Sequence, residues 1–397
     1  MKSNSLITTT THYVGVNDRK TELFEGMWPL PYGISYNSYL IVDEKVTLIE
    51  TVEISCFERY LKQIKRILGD RPIDYLIINH MEPDHSGSLA LIKQQYPEIT
   101  LVGNKRTFDM IEGFYGIKSK QLVIKEGDQL TTGTHTFQFY LTPMIHWPET
   151  MMTYDISTKT IFTGDAFGCY GTLDGGIIDE QLLIEKQWEE MTRYYANIVG
   201  KYGKNVQQAL KKLAGLELEY ICCTHGPVWH ELLNKVVATY DKLSKYEAEE
   251  GVVIAYGSMY GNTEEMAEEI ANELSAQGIR KIVMHNVSKS HPSYILADIF
   301  RYNGLIIGSP TYNNCLYPAI EELLNKIKMR NIKPRYFAYF GSFSWAGAAV
   351  KRIGDFVEKS GFTVVGAPVE MKYAMHTEDM SKARALAIEM AKTMRKA

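Results

Sequence analysis

Residues 79–89 read NHMEPDHSGSL, and they set His80, Glu82, Asp84 and His85 within six positions around Pro83. Packing gives no reason for such a density of ligand-type side chains. The stretch follows a strand-like apolar run, IDYLIINH (73–80). On an extended backbone His80 and Glu82, two apart, point the same way. Pro83 fixes its own φ and keeps Glu82 out of the helical region. Asp84 and His85 then turn the chain and present donors to a second position. Imidazole with carboxylate suits Fe, Mn or Zn; there is no thiolate here, nor the all-oxygen set that Mg and Ca prefer. The plainer alternative is a polar loop capping the next helix, SGSLALIKQQY (86–96). Four donors at alternating and adjacent positions favour a metal. Whether it hydrolyses a substrate or moves electrons is open from this stretch alone.

A site for two metals needs further ligands, and other strand ends supply candidates. His146 follows FQFYLTPMI (137–145), and Trp147-Pro148 keeps the next backbone extended. Asp165 follows TIFTG (160–164), where Gly164 permits a tight turn. His225 follows EYICCT (219–224) and precedes Gly226-Pro227. Each is weak alone, but their recurrence at strand ends makes them a set. His12, His135, His230, His285, His291 and His376 read as structural or exposed.

At 397 residues the chain exceeds one typical core and suggests two domains. With 45% hydrophobic and 23% charged residues it reads as an ordinary soluble globular protein. A formal charge of −4 gives no reason to expect nucleic acid. No apolar run is long enough to span a bilayer, and the start, MKSNSLITTTTHYVG, lacks the apolar segment of a secretory signal. Cys56, Cys169, Cys222, Cys223 and Cys315 form no CxxC pair, which fits reduced thiols and a cytoplasmic location.

Up to residue 249 short strands mix with long loops. SYLIVDEKVTLIET (38–51) reads as a hairpin and FERYLKQIKRIL (57–68) as a helix. Further strands are expected in LVGN (101–104), QLVIKEGDQLTTGTHTFQFYLTP (121–143), MMTYDISTKTIFTGD (151–165) and LEYICCTHG (218–226). The stretch NKVVATYDKLSKYEAEE (234–250) reads as one helix ending in charge. From Gly251 strands and helices alternate. The strands are VVIAYGS (252–258), KIVMHNV (281–287), GLIIGSP (304–310), YFAYFGS (336–342) and FTVVGAP (362–368). Helices NTEEMAEEIANELSAQG (262–278) and YPAIEELLNKIKMR (317–330) lie between them, and SKARALAIEMAKTMRKA (381–397) closes the chain. That rhythm predicts an α/β domain over 250–397 with a doubly wound parallel sheet, and a separate domain over 1–249.

In YGSMYGNTEEMAEEI (256–270) a strand gives way to a loop of small hydroxyl residues and a helix. Ser258, Met259, Tyr260, Asn262 and Thr263 surround Gly261, whose missing Cβ lets a ligand approach the backbone, and the following helix start offers free N–H groups to an anion. Neither GK[ST] nor GxGxxG is present, which favours a monophosphate cofactor over ATP. Ligands bind at the carboxyl ends of strands in such sheets. Pro310, Thr311, Tyr312 and Asn313 after the third strand are therefore candidates to line a flavin ring on one side. Ser342, Phe343, Ser344, Trp345 and Gly347 after the fourth are candidates for the other, with core packing the alternative for Phe343 and Trp345.

His80-x-Glu82-x-Asp84-His85 with His146, Asp165 and His225 resembles the metallo-β-lactamase-like domain of flavodiiron proteins, an αββα sandwich. The second half is similar to their flavodoxin-like, FMN-binding domain, so the resemblance covers nearly the whole chain. Hydrolases of the superfamily usually carry HxHxDH and zinc; the anionic Glu82 moves the site toward iron. The resemblance implies that His80, Glu82 and His146 hold one iron, that Asp84, His85 and His225 hold the other, and that Asp165 bridges them. It implies reduction of O2 to water, or of NO to N2O, fed by FMN. It also implies a head-to-tail homodimer or a dimer of dimers, with Trp147 and Trp345 lining the shared pocket and Tyr194 supplying a hydroxyl nearby. Many relatives have His before a glycine near residue 26; this chain has Glu25, so that residue's role is absent or differently supplied. No CxxC…CxxC follows the flavodoxin-like region, so a separate donor such as a rubredoxin is expected. The alternative is a dizinc hydrolase with a fused regulatory flavodoxin domain.

Overall fold

The computed structural model describes residues 5–332 and 335–395. The start of the chain (1–4) and its last two residues (396–397), which fall in the helix expected over 381–397, lie outside them. The chain divides into two compact units, Met1–Ser244 and Lys245–Ala397. This division falls a few residues before the 249/250 boundary expected from the sequence.

The first unit is built on two main sheets. Strands Thr11–Tyr13, Tyr39–Ile41, Thr47–Ile49, Tyr75–Ile77, Thr100–Gly103 and Gln121–Val123 lie side by side in chain order. The first three are antiparallel and the rest join in parallel. The second sheet runs Gln129–Thr131, Thr136–Leu141, Met151–Asp155, Thr160–Phe162 and Tyr220–Cys222, antiparallel except for its last pair. Tyr39, Ile41, Ile49, Ile77 and Val102 of one sheet pack with Phe137, Phe139, Met151 and Phe162 of the other in one buried cluster. Helices cover the sandwich: in Phe57–Leu68 the buried residues are Tyr60, Ile64 and Leu68, one stripe at four-residue spacing. Gly69, at φ 60, ends that helix.

In the second unit parallel strands run in the order Ile282–Asn286, Glu249–Tyr256, Tyr302–Pro310, Tyr336–Phe343 and Thr363–Val364. Chain order reverses between Glu249–Tyr256 and Tyr302–Pro310, so the crevice for a ligand opens where these two strands end. Met266, Ala267, Ile270 and Leu274 of helix Asn262–Ala276 and Leu386, Ala387, Met390, Ala391 and Met394 of helix Thr377–Arg395 share a core with the sheet. Burying each large aliphatic side chain contributes about 1.5–3 kcal/mol.

Two expectations are corrected. The helix expected over 234–250 stops at Ser244, Tyr246 takes φ 59, and Glu249 already belongs to a strand. Helix propensity in KYEAEE yields to sheet pairing, for Glu249 registers with Tyr302 and its carboxylate meets Lys281 Nζ at 2.5 Å. The run FTVVGAP is no single strand either. Pairing stops at Val364, Gly366 turns at φ 68, and the chain rejoins the sheet as Val369–Lys372 beside Tyr336–Phe343.

Candidate metal centre and flavin cleft

His80 lies just beyond strand Tyr75–Ile77, where the Asn79 main-chain N–H donates to the buried Glu50 Oε1 at 2.8 Å. Glu82 has φ −57 and ψ 138, and Pro83 opens the short helix Pro83–Ser86. The proline thus separates an extended stretch carrying His80 and Glu82 from a helical one carrying Asp84 and His85. Gly164, at φ 58, turns the chain after Thr160–Phe162 and delivers Asp165; the segments after Thr136–Leu141 and Tyr220–Cys222 deliver His146 and His225.

These seven side chains fall into two groups. His80, Glu82, His146 and Asp165 offer donor atoms within 4.8 Å of one another, as do Asp84, His85 and His225. In the first, His146 Nε2 is 3.0 Å from both Glu82 Oε2 and Asp165 Oδ2, and His80 Nε2 is 3.3 Å from Glu82 Oε2. In the second, His225 Nε2 is 3.1 Å from Asp84 Oδ2 and His85 Nε2 is 3.3 Å from Asp84 Oδ1. Asp165 reaches both: Oδ2 faces the first group, while Oδ1 is 2.8 Å from His85 Nε2 and 3.7 Å from His225 Nε2. Metal–ligand bonds of about 2 Å place neighbouring donors about 3 Å apart, so this spacing fits two ions sharing one carboxylate.

The second group's approaches lack hydrogen-bond geometry. Both oxygens of Asp84, both ring nitrogens of His85 and Nε2 of His225 are buried with no hydrogen-bond partner among the described residues. Each such atom costs about 1–3 kcal/mol, and a cation among Asp84, His85 Nε2 and His225 Nε2 would relieve all of them except His85 Nδ1. In the first group protons stand where a cation would. Burial would make His80 and His146 neutral, yet Asp165, Glu82 and, for His80, Glu149 raise both, His146 to about 9. Burial likewise opposes the charge on Glu82 and Asp165, but the imidazoles hold both well below the carboxylate range. The residues therefore fit a dinuclear centre with mixed nitrogen and oxygen ligands, a donor set that suits iron.

Around the ligands, His80 Nδ1 donates to Glu149 Oε1 at 2.8 Å and His225 Nδ1 to the Ser35 carbonyl at 2.8 Å. Trp147 stands edge-on to His80, with ring centroids 5.3 Å apart. Tyr194 is fully buried, 5.6 Å from the His225 ring, and its hydroxyl has no hydrogen-bond partner among the described residues. Glu25 accepts from Trp28 Nε1 at 2.8 Å. Sequence reasoning missed Glu149 and Glu50. The first stands three positions after His146, and the second ends a strand, the same signal that found Asp165. Burial pushes the Glu50 carboxyl up to about 8.

The flavin candidates gather at a cleft of about 420 Å³. Ser258, Met259, Tyr260, Asn262, Thr263, Pro310, Thr311, Tyr312, Asn313, Ser342, Phe343, Ser344 and Trp345 all line it, with Asn314, Ala346 and Tyr373 in addition. No charged side chain is among them. Gly261 and Gly347 do not line the cleft: Gly261 caps helix Asn262–Ala276 at φ 95, and a Cβ on Gly347 would meet the Glu370 carboxylate at 2.7 Å. Among the described residues no side chain caps that helix start, which leaves its amides available to a phosphate. The Thr311 hydroxyl is committed elsewhere, accepting from the Ala348 and Ala349 N–H groups at 3.0 and 3.1 Å. Trp345 is 88% exposed and Tyr260 91%, so core packing is not the role of Trp345; exposed rings beside an uncharged cleft fit a stacked isoalloxazine. A second groove, of about 450 Å³ between helices Pro318–Met329 and Ala349–Val357, contains none of the candidates.

Comparison with known proteins gives the same two halves. A model described as ODP family beta lactamase matches residues 34–226, and a flavodoxin model matches 254–386. An anaerobic nitric oxide reductase flavorubredoxin of Escherichia coli is 32% identical over 357 residues, covering 88% of this chain and 74% of that protein. The rubredoxin:oxygen oxidoreductase of Desulfovibrio gigas superposes with a TM-score of 0.94 at 29% identity, covering 98% of each chain. A flavodiiron protein of Giardia intestinalis gives 0.92 at 25%, covering 98% of this chain and 96% of that one. No described helix is long and apolar enough to cross a membrane.

Proposed function

The chain belongs to the flavodiiron proteins, and from that premise we propose that it is an oxidoreductase reducing O2 to water, NO to N2O, or both. The observation that carries this reading is Asp165, whose two oxygens face two separate ligand groups. When bound, two ferrous ions supply two electrons and open positions for a diatomic oxidant, and reduced FMN supplies two more. Four electrons and four protons take O2 to two waters; two electrons and two protons take two NO to N2O and water.

The chain's own part is to bind, orient and exclude water. His80, Glu82 and His146 would hold one ion and Asp84, His85 and His225 the other, while Asp165, which faces both groups, would serve each, so that the reacting atoms could be brought together. Phe24, with its ring centroid 5.4 Å from that of His225, and Tyr194 pack against the second group, and Trp147 against the first. Burial, then the charges of Asp165, Glu82 and Asp84, hold the Tyr194 phenol protonated, and we assign its hydroxyl to donate to a ligand or product at the centre. The FMN cleft is built from residues 258–260, 262–263, 310–314, 342–346 and 373, with the phosphate on the amides after Gly261. Electrons arrive from a separate donor such as a rubredoxin, and the working form is a head-to-tail dimer or a dimer of dimers in the cytoplasm. The reading is tested with iron- and FMN-replete protein and chemically reduced rubredoxin, following O2 and NO in parallel. Consumption of neither gas overturns it. The dizinc hydrolase is not favoured, and stoichiometric zinc with ester or amide hydrolysis would restore it.

A further inference from the structure

The imidazoles of the two ligand groups are not supported alike. His80 Nδ1 donates to a carboxylate oxygen of Glu149, which is 1% exposed and whose same oxygen accepts the Met81 N–H at 2.9 Å. Glu149 is itself held: its main-chain carbonyl accepts from Asn104 Nδ2 at 2.5 Å, while Asn104 Oδ1 caps helix Lys105–Tyr115. Among the described residues, only the neutral Ser35 carbonyl stands behind His225. His85 has no hydrogen bond on either ring nitrogen among the described residues.

A carboxylate behind a coordinating imidazole fixes its tautomer and ring orientation and makes it the stronger donor. It also adds a negative charge near the ion. The first position has Glu82 as ligand with Glu149 behind it, the second has Asp84 with no carboxylate behind, and Asp165 is common to both. Resting on the diiron reading above, we propose that Glu149 is a positioning residue that makes the two metal positions unequal. The His80–Glu82–His146 position is filled first and emptied last.

The test is an anaerobic titration of metal-free, FMN-loaded protein with enriched ferrous iron, read by Mössbauer spectroscopy. The first equivalent should give one quadrupole doublet, and a second doublet should grow only beyond it. Glu149→Gln keeps an acceptor for His80 and Met81 but removes the charge. It should show both doublets from the first addition and lose its tighter iron to a chelator about 10–100-fold faster. Its metal-free form should melt below the parent, because His80 loses the carboxylate that holds its proton, so the order of iron loading is the readout that a merely structural role would not move. Two doublets from the parent at one equivalent overturn the proposal, as does a glutamine variant that loads like the parent. The parent titration decides the matter by itself if the variant does not fold. A chain that takes up no iron defeats the diiron reading, whereas two irons taken up without order defeat this inference alone.

Discussion

His146 holds its proton against burial, because Asp165 and Glu82 each accept from Nε2 at 3.0 Å. Its pKa rises from the ordinary 6.5 to about 9. A folded value above the unfolded one means that the stabilisation is fully present below pH 6.5 and is lost as pH climbs through about 9. Glu82 is shifted the other way, so its contribution is present above the ordinary 4.5 and is lost only on acidification. Metal ions replace these protons, so iron affinity increases with pH as metal-free stability declines. The metal-free protein should therefore melt at a lower temperature at pH 9 than at pH 6.5, and the iron-loaded protein should show little of that fall. Calorimetry at constant ionic strength checks this; equal declines in both forms would mean that His146 is not held by these carboxylates. The seven candidate ligands stand out in the sequence because four crowd into six positions and three follow strands. Glu149 could not, since its meaning depends on His80, 69 residues away, being folded against it.

The loop between strand Glu249–Tyr256 and helix Asn262–Ala276 works through its backbone. Gly261 sits at φ 95, and a Cβ there would meet nothing within 4 Å, so Gly261→Ala introduces backbone strain and no clash. Strain in that region costs about 1–2 kcal/mol. If the loop conformation is what aims the helix amides at the phosphate, FMN affinity should fall about tenfold while iron content stays the same. Fluorescence titration of the flavin-free protein measures this, and an unaltered Kd would refute that role for the loop. Strand–helix alternation made these elements visible, because five apolar runs and their helices have different periods. Element ends were less visible. Ser244 ends a helix and Glu249 enters a strand within a stretch, SKYEAE, where Lys, Glu and Ala favour helix, and pairing with Tyr302 marks the change. Gly366 divides what reads as one last strand for a similar reason: Val369–Lys372 finds its partner farther along Tyr336–Phe343.

Across the whole molecule, the two units close separate cores. One lies between the sheets of Met1–Ser244, the other between the sheet and the helices of Lys245–Ala397. All seven metal-ligand candidates belong to the first unit and all the cleft residues to the second. A ligand stabilises the unit that binds it, by about 4 kcal/mol when present at a thousand times its Kd. In a unit of this size each kcal/mol shifts the midpoint by roughly 2–4 °C, so saturation is worth about 10 °C. Heating should therefore give two transitions: chelation lowers one, removal of FMN lowers the other, and neither treatment moves both. Residues 245–397 produced alone should bind FMN with the Kd of the full chain, since every cleft residue and every member of their core is present. A single transition that follows both ligands, or a fragment that fails to fold, would show that neither unit is stable by itself, and the iron and flavin sites would then be thermodynamically coupled through folding.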